Sequence, residues 1–431
     1  MTDDLEIKSN PPVDRLDPAP DHWKWTRLSH IVHFGHGADP NQVEVDSPGY
    51  PVYGSGGQFK WASEWLYDGP SVLFGRKGTV DRPIFVDGKF WTVDTMFYTV
   101  INERVIVPRF LFYWATRLPF DYYATGTALP SMTQTDLGSE HIAVPPLSEQ
   151  KRIADYLDHE TAEIDAFISE LEQFSRLSKS RWTRSRNELL FGLHQPGDRY
   201  SDERYTWFPE FPRRFREGSF KHYFEVTLGK MLDEKKNNSS AKRFAYIRAA
   251  NIGDGSLELR ELNSMPFTES ERSKFSIRRN DLLIVEGGSV GTNVVISQDL
   301  PDIFYQKTVN RARPRPGVDP HYFSEVLNAY RERGVFDVIG NGSTIMHLTA
   351  EKLNSLIVPV PPSDVQENIA SHLRTARADY ALLQEEIQRA IDLSFERRAA
   401  LITAAVTGQI DVTAKYTPVA EQLEAEIAEA R

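Results

Sequence analysis

The chain of 431 residues contains no cysteine. Disulfides, thiolate-held metals and cysteine nucleophiles are thereby excluded. Long apolar runs are missing too: no stretch approaches the roughly 18–20 residues of a membrane-crossing helix, so no membrane association is expected. The opening Met1-Thr2-Asp3-Asp4-Leu5-Glu6 is acidic and lacks the apolar segment of a secretory signal, which predicts a cytoplasmic protein. There is no Gly-x-x-x-x-Gly-Lys-Ser/Thr phosphate loop and no His-Glu-x-x-His motif, which argues against ATP hydrolysis and zinc-dependent hydrolysis. His33 and His36 are spaced as metal ligands could be, but no third ligand is evident, and neither a metal nor a cofactor is expected. Asn10-Pro11-Pro12-Val13 approaches the Asn-Pro-Pro-aromatic loop of amino-methyltransferases but carries valine where a ring must stack on the base. Asp87-Gly88-Lys89 reads as a turn rather than a nuclease motif.

Glycine and proline are absent from two long stretches, and these organise the chain. Each follows a proline pair, Pro145-Pro146 or Pro361-Pro362, and each runs to a glycine, Gly192 or Gly408. Proline cannot continue a helix inward from its own position, because it lacks an N–H and clashes with the preceding turn. The two stretches are copies of one another. Residues 126–192 and 342–408 align without a gap at a lag of 216, with 17 of 67 positions identical. Chance would give about one in seventeen, so the chain carries an internal duplication. In the first copy Ile153, Leu157, Ile164, Phe167, Leu171 and Phe174 recur at three- and four-residue spacing, and Ile369, Leu373, Tyr380, Leu383 and Ile387 keep that register in the second. This is the seam of a coiled coil. Ser148 and Asp364 are the expected N-caps and Gly192 and Gly408 the C′ residues. Each helix should hold about 45 residues and span roughly 67 Å. The simplest arrangement is an antiparallel rod with one globular domain at each end, an α+β fold with an internal pseudo-two-fold repeat. The alternative is two amphipathic helices, each covering only its own domain.

Divided on this pattern, residues 1–20 form an acidic tail, 21–147 a first globular domain and 148–192 the first long helix. Residues 193–362 form a second globular domain, 363–412 the second long helix, and 413–431 a further acidic tail. Candidate strands in the first domain are Val72-Leu73-Phe74, Ile84-Phe85-Val86 and Phe97 to Val100, with a short helix from Pro108 to Trp114. Trp61, Trp65, Trp91 and Trp114 are expected in its core. The second domain echoes the first: Leu282-Leu283-Ile284 follows Val72-Leu73-Phe74 at a lag of 210, and Pro320 to Val326 follows the Pro108 helix at about 212. The drift in lag means that loops differ on a shared frame, as expected of domains that read different targets.

Net charge is −11, which on its face disfavours a nucleic-acid partner. Residues 1–20 and 411–431 together supply −6 of it, whereas residues 193–362 carry 24 bases against 22 acids. Several bases cluster, as at Lys242-Arg243, Arg278-Arg279 and Arg311, Arg313 and Arg315. Such clusters permit DNA binding without establishing it. The glycine-rich turn Gly54, Ser55 and Gly57 and the loop with Arg76, Lys77 and Thr79 offer backbone N–H groups beside bases. Thr125 and Thr127, and Asn341 and Ser343, occupy the matching turns ahead of each repeated module. In the second domain Arg248, Asn251, Ser289, Thr292, Lys307 and Arg311 complete the candidate DNA-contacting set. Arginine suits guanine edges and asparagine suits adenine edges.

Taken together, Val144-Pro145-Pro146-Leu147-Ser148-Glu149-Gln150 with Ile153-Ala154 and Leu157, its second copy Val360-Pro361-Pro362 with Gln366, Ile369-Ala370 and Leu373, the stretch Leu401 to Asp411, and Val52-Tyr53-Gly54-Ser55-Gly56-Gly57 resemble the specificity subunit of type I restriction–modification systems. The resemblance runs from Trp23 to about Val412. It implies a non-catalytic, DNA-reading subunit in which each domain reads one half of a split double-stranded target. The helices would set the spacing. It also implies assembly with two modification subunits, which methylate adenine at N6, and with ATP-driven restriction subunits. The modification subunits would dock on the coiled coil, the region of Ile153, Leu157, Ile164, Leu171, Ile369, Leu373, Tyr380 and Ile387. Two rivals stay open at this point. A self-contained methyltransferase or nuclease would bind S-adenosylmethionine or cut DNA alone, and a coiled-coil scaffold would show no DNA role.

Overall fold

The computed structural model describes residues 19–46, 48–76, 82–118, 120, 132–193, 199–200, 211–213, 215–231, 242–339 and 347–412. They fall into two compact units, Met1–Glu172 with Ile387–Arg431, and Gln173–Glu386. The first unit contains an antiparallel sheet in the order Val32–His36, Met96–Ile101, Ser71–Gly75, Ile84–Val86. Every residue of Ser71–Gly75 is buried, as suits a strand covered on both faces. The second unit has the same sheet, in the order Phe224–Leu228, Val309–Pro314, Leu282–Val285, Asn293–Val295.

Each unit adds another sheet containing one parallel pair: Tyr50–Gly54 beside Lys89–Thr92 in the first, Arg243–Ile247 beside Ile303–Tyr305 in the second. Each also has a helix opened by proline, Pro108–Thr116 and Pro320–Glu332. Proline is well placed there because its missing N–H has no partner in a first turn anyway. The expected strands at 72–74, 84–86, 97–100 and 282–284 and both short helices are therefore present. Of the four tryptophans expected in the core, Trp91 and Trp114 are buried, but Trp61 and Trp65 are 37% and 44% exposed. Trp65 instead lies on the surface with the Lys89 ammonium 3.8 Å from its ring, an arrangement that keeps a ring stable in water.

A strand pair leads into each long helix. Lys24–Arg27 pairs with His141–Val144, and Arg216–Ser219 with Ile357–Val360. The helices follow as Leu147–Leu190 and Ser363–Val406, 44 residues each. The second begins where expected and the first one residue earlier; both begin one residue before the expected N-cap, so Ser148 and Asp364 lie inside the first turn rather than capping it. Both ends are closed as the glycines suggest. Gly192 and Gly408 have φ of 59° and 71°. The N–H of Leu193 reaches the Glu188 carbonyl and that of Gly192 the Leu189 carbonyl; Gln409 and Gly408 repeat this onto Ala404 and Ala405. This doubly bonded ending needs a left-handed residue at C′.

A buried glutamine ties each helix start to its globular part. Gln150 donates from Nε2 to the carbonyls of Pro145 (2.8 Å) and Val105 (3.0 Å), and its Oε1 accepts from the Val107 N–H (2.7 Å). Gln366 donates to Pro361 O (2.8 Å) and accepts from Asp319 N–H (3.0 Å). Both are the glutamines four residues after the second proline of each pair.

The two helices run antiparallel in each unit. In the first, Arg398 Nε donates to Asp165 Oδ1 (2.9 Å), and Ile153, Ala154 and Leu157 share a core with Ile402, Ala405 and Val406. In the second, Ser175 and Ser178 bracket Gln384 at 2.7 and 2.8 Å, and Trp182 stacks on Tyr380 with ring centroids 5.7 Å apart. The seam runs through Leu157, Thr161, Ile164, Ile168 and Leu171 to Ser175, Ser178 and Trp182. Phe167 and Phe174, expected in it, are each 50% exposed. The small polar residues Thr161, Ser175 and Ser178 hold seam positions, so the largest apolar side chains mark the wrong phase.

Candidate nucleic-acid interface

The strand ends of each unit converge on one edge, and the same main-chain hydrogen bonds build that edge twice. In the first unit Val93 N–H reaches Tyr53 O, Met96 N–H reaches Val93 O, Arg76 N–H reaches Thr95 O, and Met132 N–H reaches Arg76 O. In the second, Gln306 N–H reaches Ile247 O, Val309 N–H reaches Gln306 O, Glu286 N–H reaches Thr308 O, and Leu348 N–H reaches Glu286 O. These bonds equate Tyr53 with Ile247, Arg76 with Glu286, Val93 with Gln306 and Thr95 with Thr308. They therefore also equate Gly54 with Arg248 and Asp94 with Lys307.

The sequence model of the family described as the Type I restriction modification DNA specificity domain matches this chain twice, over residues 20–173 and 217–392. The chain belongs to this family. The EcoKI specificity subunit of Escherichia coli K12 is 21% identical over 276 residues, covering 63% of this chain and 58% of that protein. The EcoDI specificity subunit of Escherichia coli matches over a shorter stretch, 24% identical and 36% of its own length. The MjaVIII specificity subunit of Methanocaldococcus jannaschii is 19% identical over 83% of this chain and 86% of that one. Two solved structures share the fold. One is a chain from a study of complex assembly and conformational transition in a type I R-M system, with a TM-score of 0.65 and 16% identity over 92% of this chain and all of that one. The other is the HsdS subunit from Thermoanaerobacter tengcongensis, with a TM-score of 0.53 and 16% identity over 91% of this chain and 98% of that one.

In the first specificity domain Gly54, Ser55 and Gly57 form the hairpin between Tyr50–Gly54 and Gly57–Ala62, with Gly57 at φ 106°. Arg76 is exposed, with its guanidinium 6.0 Å from the Phe97 ring centre. In the second domain Arg248, Lys307 and Ser289 are exposed, and the bond from Gln306 N–H to Ile247 O brings Arg248 and Lys307 to one edge. Lys77, Thr79, Thr125, Thr127, Asn341 and Ser343 lie outside the described residues.

Three of the expected contact residues are used internally. Asn251 is buried and its Oδ1 accepts from the Arg248 N–H (3.1 Å), fixing the short turn that presents Arg248. Thr292 is buried, and its hydroxyl accepts from Arg331 Nη1 (2.8 Å). Arg311 is 2% exposed and donates to the carbonyls of Lys274 and Ser276. These side chains are turned into the domain rather than outward, and the buried Arg311 Nε has no hydrogen-bond partner there. Two acids at the edge, Asp94 and Glu286, were missed by a search for bases. Burial pushes the Glu286 carboxyl upward, while His347 and Lys307 pull it back. A signal for it was present, since Glu286 stands 210 residues after Arg76, the lag of the flanking strands.

The seam residues named as a docking region also take a different role. Ile153, Leu157 and Ile164 are buried, as are Ile369, Leu373 and Ile387, so they hold the helices and their domains together. What each unit leaves exposed on its helices is another set: Phe167, Leu393 and Phe395 in the first, Phe174, Leu177 and Leu382 in the second. Among the described residues no group of acids and histidines could hold a metal, and no helix is long and apolar enough to cross a membrane.

Proposed function

We propose that this chain is the DNA-reading subunit of a type I restriction–modification assembly. Each specificity domain reads one half of a split duplex target, and the paired helices set the distance between the halves. The chain performs no chemistry itself. It positions two modification subunits, which dock on the exposed apolar residues of the helices, and the restriction subunits join that assembly. The observation that carries this reading is the duplicated edge: one set of main-chain bonds, two different sets of outward side chains. That is what two readers of unlike half-sites require, since phosphate contacts fix register while base contacts specify. Two linked readers gain from each other only when the linker matches the spacing of their sites.

The test is selection from a randomised duplex pool by the chain assembled with its modification subunit. One split motif should be recovered. A variant with four residues inserted at matching places in both long helices should recover the same half-sites at a new spacing. Altered half-sites, or sequence-blind recovery, would overturn the reading. The chain alone should not retain labelled S-adenosylmethionine.

A further inference from the structure

The repeated edge carries two charged positions whose signs are exchanged between the copies. In the first domain the outer position is Arg76 and the one beside its anchoring carbonyl is Asp94. In the second the equivalents are Glu286 and Lys307, equated by the bonds from Arg76 N–H to Thr95 O and from Glu286 N–H to Thr308 O. Asp94, Arg76 and Lys307 are exposed and Glu286 is half-buried. Among the described residues neither pair closes into an ion pair, and none of the four side chains has a hydrogen-bonded partner. The main chain at both positions is held by the frame, so these side chains start from the same place in each domain.

We infer that these two positions are specificity-determining: Arg76 and Asp94 select bases in one half-site, Glu286 and Lys307 in the other, with donor and acceptor exchanged. This rests on the DNA-reading function proposed above. An unpaired carboxylate on a surface that meets a polyanion is repelled by phosphates. It becomes favourable only against a base amino group, cytosine N4 or adenine N6. A cation next to it suits the O6 and N7 acceptors of guanine. Each edge thus offers one acceptor and one donor, and reversing their order changes which base step fits. Phosphate-binding residues have no reason to alternate in sign, because every phosphate carries the same charge.

The experiment uses the full chain assembled with its modification subunit and a randomised duplex pool. Glu286→Ala should relax preference at one base pair of one half-site by about ten-fold or more, the size of one base contact. Asp94→Ala should do the same in the other half-site only. The exchange E286R/K307D should recover guanine where the wild type recovers an amino-bearing base. Thermal melts accompany each variant, and E286Q and D94N, which keep shape, serve where alanine unfolds the domain; an amide should shift preference toward adenine. The inference is overturned if wild type yields a split motif that these variants leave unchanged, or if they weaken every sequence alike. If wild type yields no split motif, the DNA-reading function itself fails.

Discussion

Replacing Gln150 by leucine isolates the bonds that couple the first long helix to its domain. Gln150 is fully buried, and leucine nearly conserves its volume, so the change leaves little cavity. What is lost is one acceptor for the Val107 N–H and one donor shared by the carbonyls of Pro145 and Val105. An unsatisfied buried group costs about 1–3 kcal/mol, and carbonyls tolerate under-satisfaction better than N–H groups. A total of about 3 kcal/mol is expected, or a fall of roughly 6–12 °C in Tm for a unit of this size. Gln366→Leu loses one carbonyl partner fewer, and should cost about 2 kcal/mol. Gln150→Glu should be worse than leucine, because it keeps the acceptor but places a charge against two carbonyl oxygens. Melts followed by tryptophan fluorescence can be assigned to units, since Trp23, Trp91 and Trp114 lie in the first and Trp182 in the second. The reasoning is refuted if Gln150→Leu melts within 1 °C of wild type, or if Gln366→Leu costs more.

Four further outcomes are expected. Arg248→Glu should weaken duplex binding and lower the slope of affinity against salt, measured by titration at several ionic strengths; unchanged slope removes it from the interface. Trp182→Ala and Tyr380→Ala should couple by about 0.5–1.5 kcal/mol in a double-mutant cycle, and strict additivity would show that the stack adds nothing. The His321 imidazole is lowered by burial and by Arg374, so below about pH 6.5 the unfolded chain binds the extra proton and stability falls with pH. His321→Asn should flatten that fall in denaturant titrations from pH 7 to 5. The pair F167S/F395S should abolish capture of the modification subunit in sedimentation while moving Tm by no more than about 2 °C, because both residues already face water.

The duplication, the proline-to-glycine limits of the long helices and the central strands were readable because each rests on a local rule. Proline starts a helix, left-handed glycine ends one, and an unbroken apolar run such as Val72-Leu73-Phe74 is covered on both faces. The phase of the helix seam was not readable from residue size. Ser175 and Ser178 fill positions where the partner helix supplies Gln384, Thr161 is held by Tyr113 of the first domain, and the phenylalanines nearby mislead. The same limit applies at the edge. Asn251, Thr292 and Arg311 have the chemistry of base readers, but a side chain's bonding capacity does not reveal whether the fold has already used it. That depends on distant partners: Arg311 meets carbonyls some 35 residues away. Gln150 and Gln366, by contrast, sit at the same place after each proline pair. The copies could be compared directly, although only the structure shows what the glutamines bind.

The bonds that hold the edge in place run from main chain to main chain, and none of them depends on which side chain stands at 76, 94, 286 or 307. Substitutions there leave the scaffold's ledger of contacts almost untouched. On the inference drawn above, a lineage carrying such a protein would drift to a new recognition sequence by a handful of replacements, each intermediate still a sound molecule. Folding and meaning are stored in different atoms.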